Sequence, residues 1–348
     1  MSTRIAALFR LAFFALLLGL LGSAAAQTKP AKPIELKFNS FVPNTHGSWR
    51  FMFKPWIEEL EKRSGGRVKV IPFFAGALAK QAENYDATVK GLSDMSYGTQ
   101  RITVGRFSLS ELLYLPGLEL PDANSATLAQ WQIYKTFPEV RKQYDDTHPV
   151  VLLGLPPRVI ATSKKPVRTL EDLRGLKIWV AGRLAAKMVS ALGATPVTMA
   201  SGEVYMALEK GILDGAGWSA SSLVGNRIHE HTKFVANIPL DVGTTYFVMN
   251  KAAHDRLPAD IKKIVDDMGG EWGAKFIGAQ YNKMEEEAWE VMRKSGVEII
   301  NPPAAEAARW YKAIEPVTEA ELKALEAKGL PARKVYAEIL KFSRQYKK

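Results

Sequence analysis

Five aromatic residues lie at the ends of predicted strands or in the loops that follow them: Trp49, Tyr97, Trp179, Trp218 and Tyr246. Aromatic faces stack on rings, cover apolar bodies and hold cations. Any one of them alone reads as core; five at corresponding edges of two α/β units read as the walls of a ligand cleft. His46 and Gln81 are polar groups that such a cleft could use, although neither has a visible partner. Groups for catalysis are sparse. His229-Glu230-His231 is the only histidine cluster, but residues two apart on a helix do not share a face and no HExxH spacing accompanies them, so they read as a surface pair and no metal site is expected. Gly215-Ala216-Gly217-Trp218-Ser219-Ala220 spells the dinucleotide fingerprint in letters. That fingerprint needs a strand before it, a helix after it and an acid about 20 residues on. Ser219 to Gly225 reads poorly as a helix and a bulky Trp fills the loop, so dinucleotide binding is not expected. No GxSxG elbow and no phosphate-binding GxxxxGK[ST] loop occurs. Glu285-Glu286-Glu287 reads as a solvated helix face. No catalytic residue and no cofactor is expected.

Composition narrows the classes further. The 348 residues contain 47 Lys and Arg, 36 Asp and Glu, and no cysteine. Without cysteine there is no thiolate zinc site, no iron–sulfur ligation, no thiol nucleophile and no lipoprotein anchor. Residues 1–26 carry Arg4 and Arg10, an apolar run from Leu11 to Leu21 and an Ala-rich site before Gln27, the three parts of a cleaved secretory signal peptide. The apolar run is shorter than the roughly 20 residues a membrane span needs. The expected mature chain is therefore soluble, exported and, being cysteine-free, suited to a bacterial periplasm. Removing Arg4 and Arg10 leaves 45 basic against 36 acidic residues, a net charge of +9. Those charges scatter over helix surfaces and form no basic stripe interleaved with aromatics, so no nucleic-acid partner is expected.

The elements that must position the aromatics alternate between short β-like runs and longer helical ones, the signature of an α/β fold. In the first half, strands are predicted at Glu35 to Phe38, Val68 to Pro72 and Asp94 to Tyr97, with helices over Trp49 to Arg63 and Gln81 to Lys90. The second half repeats this with strands at Val159 to Thr162 and Leu176 to Val180 and helices over Leu184 to Leu192 and Glu203 to Lys210. After the strand Tyr246 to Met249 the text becomes helical: Pro258 to Ser295 with a weak point at Gly269-Gly270, a helix started by the capping box Thr318-Glu319-Ala320-Glu321, and a last helix over Pro331 to Tyr346. Two α/β units suggest two lobes with a cleft between them, and ligands of open α/β sheets bind beyond the carboxyl ends of strands.

Three blocks carry a family resemblance: Asp172-Leu173-Arg174-Gly175-Leu176-Lys177-Ile178-Trp179-Val180, then Leu192-Gly193-Ala194-Thr195-Pro196-Val197, then Gly202 through Gly215. Together with the strand start at Gly65, the loop at Gly76 and the turn at Gly91, they make the chain similar to the periplasmic solute-binding subunits of tripartite ATP-independent periplasmic (TRAP) transporters of the DctP type. The resemblance implies a two-lobed periplasmic binding protein, type II-like, with a hinged cleft and long bridging C-terminal helices. Lobe I is expected to comprise residues 27–157 plus about 246–285, and lobe II residues 158–245 plus about 286–348. It also implies a monomer that captures one small molecule and delivers it to the small and large membrane permease subunits, without catalysis.

Where the family usually carries an Arg that forks onto the ligand carboxylate, this sequence has Trp179. A second usual Arg falls on Val159, with Arg158 one residue away, and a usual Asn falls on Trp218. A carboxylate in a closed cleft needs a charged partner, because burying it unpaired costs several kcal/mol. The remaining candidates are Arg158, Arg183, Lys80, Arg101 and backbone amides, with Arg183 or Arg158 as the expected replacement. Trp179 and Trp218 suit an apolar or aromatic body. The expected ligand is an organic acid with an apolar or aromatic part; the alternatives are a neutral or cationic molecule in an aromatic box and, less favoured, an exported enzyme.

Overall fold

The computed structural model describes residues 32–346 except Val104 and Glu119. The expected signal peptide lies outside the described residues. Residues 35–348 cluster as a single unit, built around two mixed sheets. The first has the strand order β2-β1-β3-β10-β4, with β1 Ile34–Ser40, β2 Val68–Phe73, β3 Met95–Thr99, β4 Thr147–Pro157 and β10 Val242–Asn250. The second has the order β11-β9-β5-β8-β6-β7, with β5 Val159–Thr162, β6 Lys177–Trp179, β7 Thr195–Val197, β8 Gly215–Trp218, β9 Phe234–Ala236 and β11 Glu298–Ile300. β1 runs parallel to β3, whereas β10 is antiparallel to both β3 and β4. All nine residues of β10 are buried, the polar Thr244, Thr245 and Asn250 among them.

The chain passes between the sheets three times. Pro157 leads directly to Val159 through Arg158, the segment after Ala236 returns to β10, and the 25-residue helix Gly270–Lys294 spans from the first sheet to the second. The first two passages are tied together. Arg158 N donates to the Asp241 carbonyl at 2.9 Å, Leu240 N donates to the Arg158 carbonyl at 2.9 Å, and the buried Arg158 guanidinium grips the Asp241 carboxylate with both Nε and Nη2. The long helix packs against β4 at one end and buries Ala288 and Met292 in the second lobe's core at the other.

Three local expectations differ from what is found. Gly215 to Trp218 is strand, not loop, and Gly215 is required there by close packing, since a Cβ would stand 2.2 Å from the Ala161 carbonyl oxygen. Ala220–Gly225 is helical. Its first two N–H groups, on Ala220 and Ser221, donate to the two oxygens of Glu285 at 3.0 and 2.9 Å, a cap from 65 residues away that local text cannot reveal. No helix begins at Thr318: one helix runs from Ala304 to Glu326 through Pro316. Trp310, Ile314, Leu322 and Leu325 bury one face on both sides of the proline, and that packing outweighs the lost hydrogen bond.

Candidate functional site

A cavity of about 270 Å³ lies between the two sheets. Its first-lobe wall comes from the loop after β1, with Phe41 and His46, and from the end of β3, with Tyr97 and Thr99, followed by Arg101 in the turn Gln100–Ile102. Its second-lobe wall is Trp218 at the end of β8, Ser222 and Asn226 from the helix after it, and the Ala200–Gly202 segment. Tyr281, one turn before Glu285 on the long helix, closes the back. The polar strand ends thus face each other across the gap, and the carboxyl termini of β1, β3 and β8 carry the functional side chains, as expected for open α/β sheets.

Arg101 dominates the electrostatics. Its Nε and Nη1 are covered from solvent and have no hydrogen-bond partner among the described residues. Its side chain lies against Gly182 of the second lobe and over the Tyr114 ring, 5.7 Å from the centroid. Burial pulls the pKa of this guanidinium down, the Arg158 charge adds to that, and Tyr114, Asp241 and Glu111 act the other way. A guanidinium nevertheless stays charged in a protein, so a cation lines the cavity. Around it the walls are apolar and aromatic: Tyr97 packs on Phe41 (5.2 Å) and Phe53 (4.5 Å), and Trp218 packs on Trp179 (4.3 Å).

Of the residues singled out in the sequence, Trp218, Tyr97, His46 and Gln81 line this cavity. Gln81 Nε2 donates to Thr99 Oγ1 at 3.3 Å. His46 Nδ1 is 2.8 Å from Ser48 Oγ, and its ring abuts Gly225 so closely that a Cβ there would be 2.8 Å from Nε2. Burial lowers the His46 pKa to about 4, so its ring is neutral at pH 7.

The others sit elsewhere. Trp179 is fully buried behind Trp218, its Nε1 donating to the Met199 carbonyl at 3.2 Å, so it supports the wall without forming it. Trp49 packs edge-on against Phe74 and stacks near Phe38. Tyr246 is buried between Tyr85 and Phe107. Arg158 is the tie between the two inter-lobe strands described above. Arg183 forks onto Glu321 of the helix Ala304–Glu326, lines an adjoining cavity of about 590 Å³, and is therefore already paired. Lys80 is exposed and outside the lining. Arg101 was legible only as one of four candidate cations, because it falls in a turn with no pattern of its own.

Chemistry beyond binding finds little here. Ser48 is fully buried and is not a lining residue, so the His46–Ser48 hydrogen bond presents no nucleophile to the cavity. A second cleft of about 260 Å³ beside the long helix is lined by Pro121, Pro156, Pro239, Glu285 and Trp289 among others, with no Lys or Arg in its lining.

Comparison with known proteins places these features in context. The sequence profile described as bacterial extracellular solute-binding protein, family 7 (DctP) matches residues 38–324. A TRAP solute-binding protein from Rhodoferax ferrireducens T118, solved with copurified benzoate, superposes with a TM-score of 0.85 at 27% identity, covering 90% of this chain and 98% of that one. A marine metagenome TRAP solute-binding protein specific for aromatic acid ligands, in complex with metahydroxyphenylacetate, gives 0.86 at 26% identity over 90% and 100% of the two chains. A TRAP periplasmic solute-binding protein from Bordetella bronchiseptica with bound (R)- and (S)-mandelate gives 0.82 at 26% identity over 90% and 99%.

Proposed function

The chain belongs to family 7 of the bacterial extracellular solute-binding proteins, and from that premise we propose that it captures an aromatic monocarboxylate in the cleft at Arg101 and hands it to a membrane permease. The observation that carries the ligand class is the buried Arg101 guanidinium, two of whose nitrogens lack a partner among the described residues, at the wall of an aromatic-lined cavity. A carboxylate pairs with that guanidinium through charge-assisted hydrogen bonds, and a ring attached to it occupies the space between Tyr97 and Phe41 on one side and Trp218 on the other. A cavity near the small end of the usual range favours a single-ring ligand. The bound benzoate, metahydroxyphenylacetate and mandelate of the three similar structures agree with this chemistry. A cationic ligand would sit against an unpaired cation, and a neutral one would leave Arg101 uncompensated; the aromatic-box alternative is disfavoured on that ground.

In this reading Trp218, Tyr97, His46 and Gln81 shape the pocket, Trp179 stiffens it, and Arg158 with Asp241 ties the passages between lobes divided near residues 157, 245 and 285. The protein acts as a monomeric receptor without catalysis, its first 26 residues are removed on export to the periplasm, and its partners are the small and large subunits of a TRAP permease. Among the described residues no helix is long and apolar enough to cross a membrane. The test is calorimetric titration of the mature protein with benzoate, mandelate, succinate and choline. Binding of the aromatic acids with recovery of unaltered ligand supports the proposal; binding of succinate or choline alone, or turnover of the acid, overturns it.

A further inference from the structure

Far from the cleft, three side chains from three elements converge. His148 lies near the start of β4, His254 in the helix Lys251–Asp255, and Asp266 in the helix Ala259–Met268. The two imidazole rings are stacked, with centroids 3.6 Å apart and planes 11° from parallel. Both Nε2 atoms address one oxygen: His254 Nε2 is 2.8 Å and His148 Nε2 3.1 Å from Asp266 Oδ1. The three donor atoms all lie within 4.8 Å of one another. Ligands held about 2.0–2.1 Å from a shared tetrahedral ion stand roughly 3.3 Å apart; the two edges to Asp266, 2.8 and 3.1 Å, lie close to that, and the stacked rings must tilt from their near-parallel arrangement for both lone pairs to meet one ion. Seven residues of β4 separate His148 from Leu155 of the cleft, about 24 Å along an extended strand. The two sites are therefore distinct.

The donor set selects the ion. Two imidazoles and a carboxylate suit zinc and its neighbours in the first transition row, whereas calcium and magnesium prefer oxygen ligands only. A ligating imidazole must carry its proton on the other nitrogen, and an acceptor behind the ring fixes that tautomer. Asp255 Oδ1 stands 3.8 Å from His254 Nδ1, beyond hydrogen-bond length, and a rotation of this exposed side chain brings it to that position. Access is also provided: His254 is nearly covered, but the side chains of His148 and Asp266 are 30% and 46% exposed. We propose that His148, His254 and Asp266 form a site for one divalent transition-metal ion of the zinc class, completed by water, which fastens both helices to the start of β4.

The experiment uses untagged, chelator-treated mature protein. Titration with zinc chloride at pH 7.5 is expected to give one equivalent of binding that is lost in the His148→Gln/His254→Gln double variant, kept in His229→Gln/His231→Gln, and weakened about tenfold or more in Asp255→Asn. Far-UV circular dichroism and cooperative unfolding without metal establish that each variant is folded. Should the double variant fail to fold, the unmutated protein still decides: zinc is expected to protect His148 and His254, but not His229 or His231, from carbethoxylation read by mass spectrometry. Absence of stoichiometric binding, its survival in the double variant, or protection at His229 and His231 instead would overturn the proposal.

Discussion

Replacing Arg101 by Met tests the ligand anchor most directly. The substitution keeps a long unbranched side chain against Gly182 and Tyr114 and removes only the charge and its donors. A carboxylate hydrogen-bonded to the guanidinium brings the two charges to about 4 Å, where their attraction is about 4 kcal/mol at an effective dielectric constant near 20. The guanidinium loses water as the lobes close and the ligand as it enters, and both costs take back a share of the gain. The net loss is expected at about 2–4 kcal/mol, or roughly 30- to 1,000-fold in Kd. Isothermal titration with benzoate measures it, and benzamide supplies the second edge of the cycle: uncharged, it should bind wild type weakly and lose little more in the variant. Arg183→Met is the control, since Arg183 is committed to Glu321, and it should change benzoate affinity by less than about threefold. A Kd for Arg101→Met within tenfold of wild type, or an equal loss for benzamide, would refute the anchor.

Three further outcomes follow from the same contacts. Arg158→Met leaves the Asp241 carboxylate, 1% exposed, without its partner and should cost about 3–5 kcal/mol in urea unfolding; a change below 1 kcal/mol would contradict the tie between the inter-lobe strands. Trp218→Leu should weaken benzoate by about 0.5–1.5 kcal/mol while sparing short aliphatic acids, because only a ring uses the indole face. His46 titrates near pH 4 when folded and near pH 6.5 when unfolded. The unfolded chain therefore binds more protons as pH falls from 6.5 to 4, and stability drops across that window, by about 2 kcal/mol at pH 5 from this group alone. His46→Gln should remove that share of the difference between unfolding free energies at pH 7 and pH 5; an unchanged difference would show that His46 is not held neutral.

Much of the scaffold was legible because it rests on local periodicity. β1, β3, β5 and β6 and the helices around residues 54–63, 183–191 and 270–294 follow alternation, 3.6-residue spacing and glycine stops. What escaped depends on partners distant in sequence. The helix after Trp218 is capped by Glu285, and the helix through Pro316 is held by Trp310 and Leu322, neither of which a local reading weighs. The site divides the same way. Trp218, Tyr97, His46 and Gln81 come to the cavity because strand ends and their loops meet there, a rule visible in the text. Which arginine is free is a question of pairing: Arg158 and Arg183 look like better anchors in sequence, but Asp241 and Glu321, 83 and 138 residues away, hold them. Arg101 is left because no described residue pairs with it.

That leftover charge bears on how the cleft would work. In this structure Arg101 lies against Gly182 of the second lobe with Nε and Nη1 unsatisfied among the described residues, and an unpaired buried charge costs several kcal/mol. An empty cleft therefore resists closing, since opening lets water reach the guanidinium. A bound carboxylate supplies the missing counter-ion only when both lobes are in place, so its affinity differs between the open and closed forms, and that difference is what shifts the population. A shift from about 1% to about 99% closed needs about 5.5 kcal/mol of differential affinity; the carboxylate pairing at about 2–4 kcal/mol and one aromatic contact at about 0.5–1.5 kcal/mol together approach it. Arg101→Met should then close without ligand, giving a smaller radius of gyration in small-angle scattering of the free protein than wild type shows, and addition of benzoate should contract wild type but not the variant. A free variant as extended as free wild type would separate anchoring from closure and leave Arg101 with the first role alone.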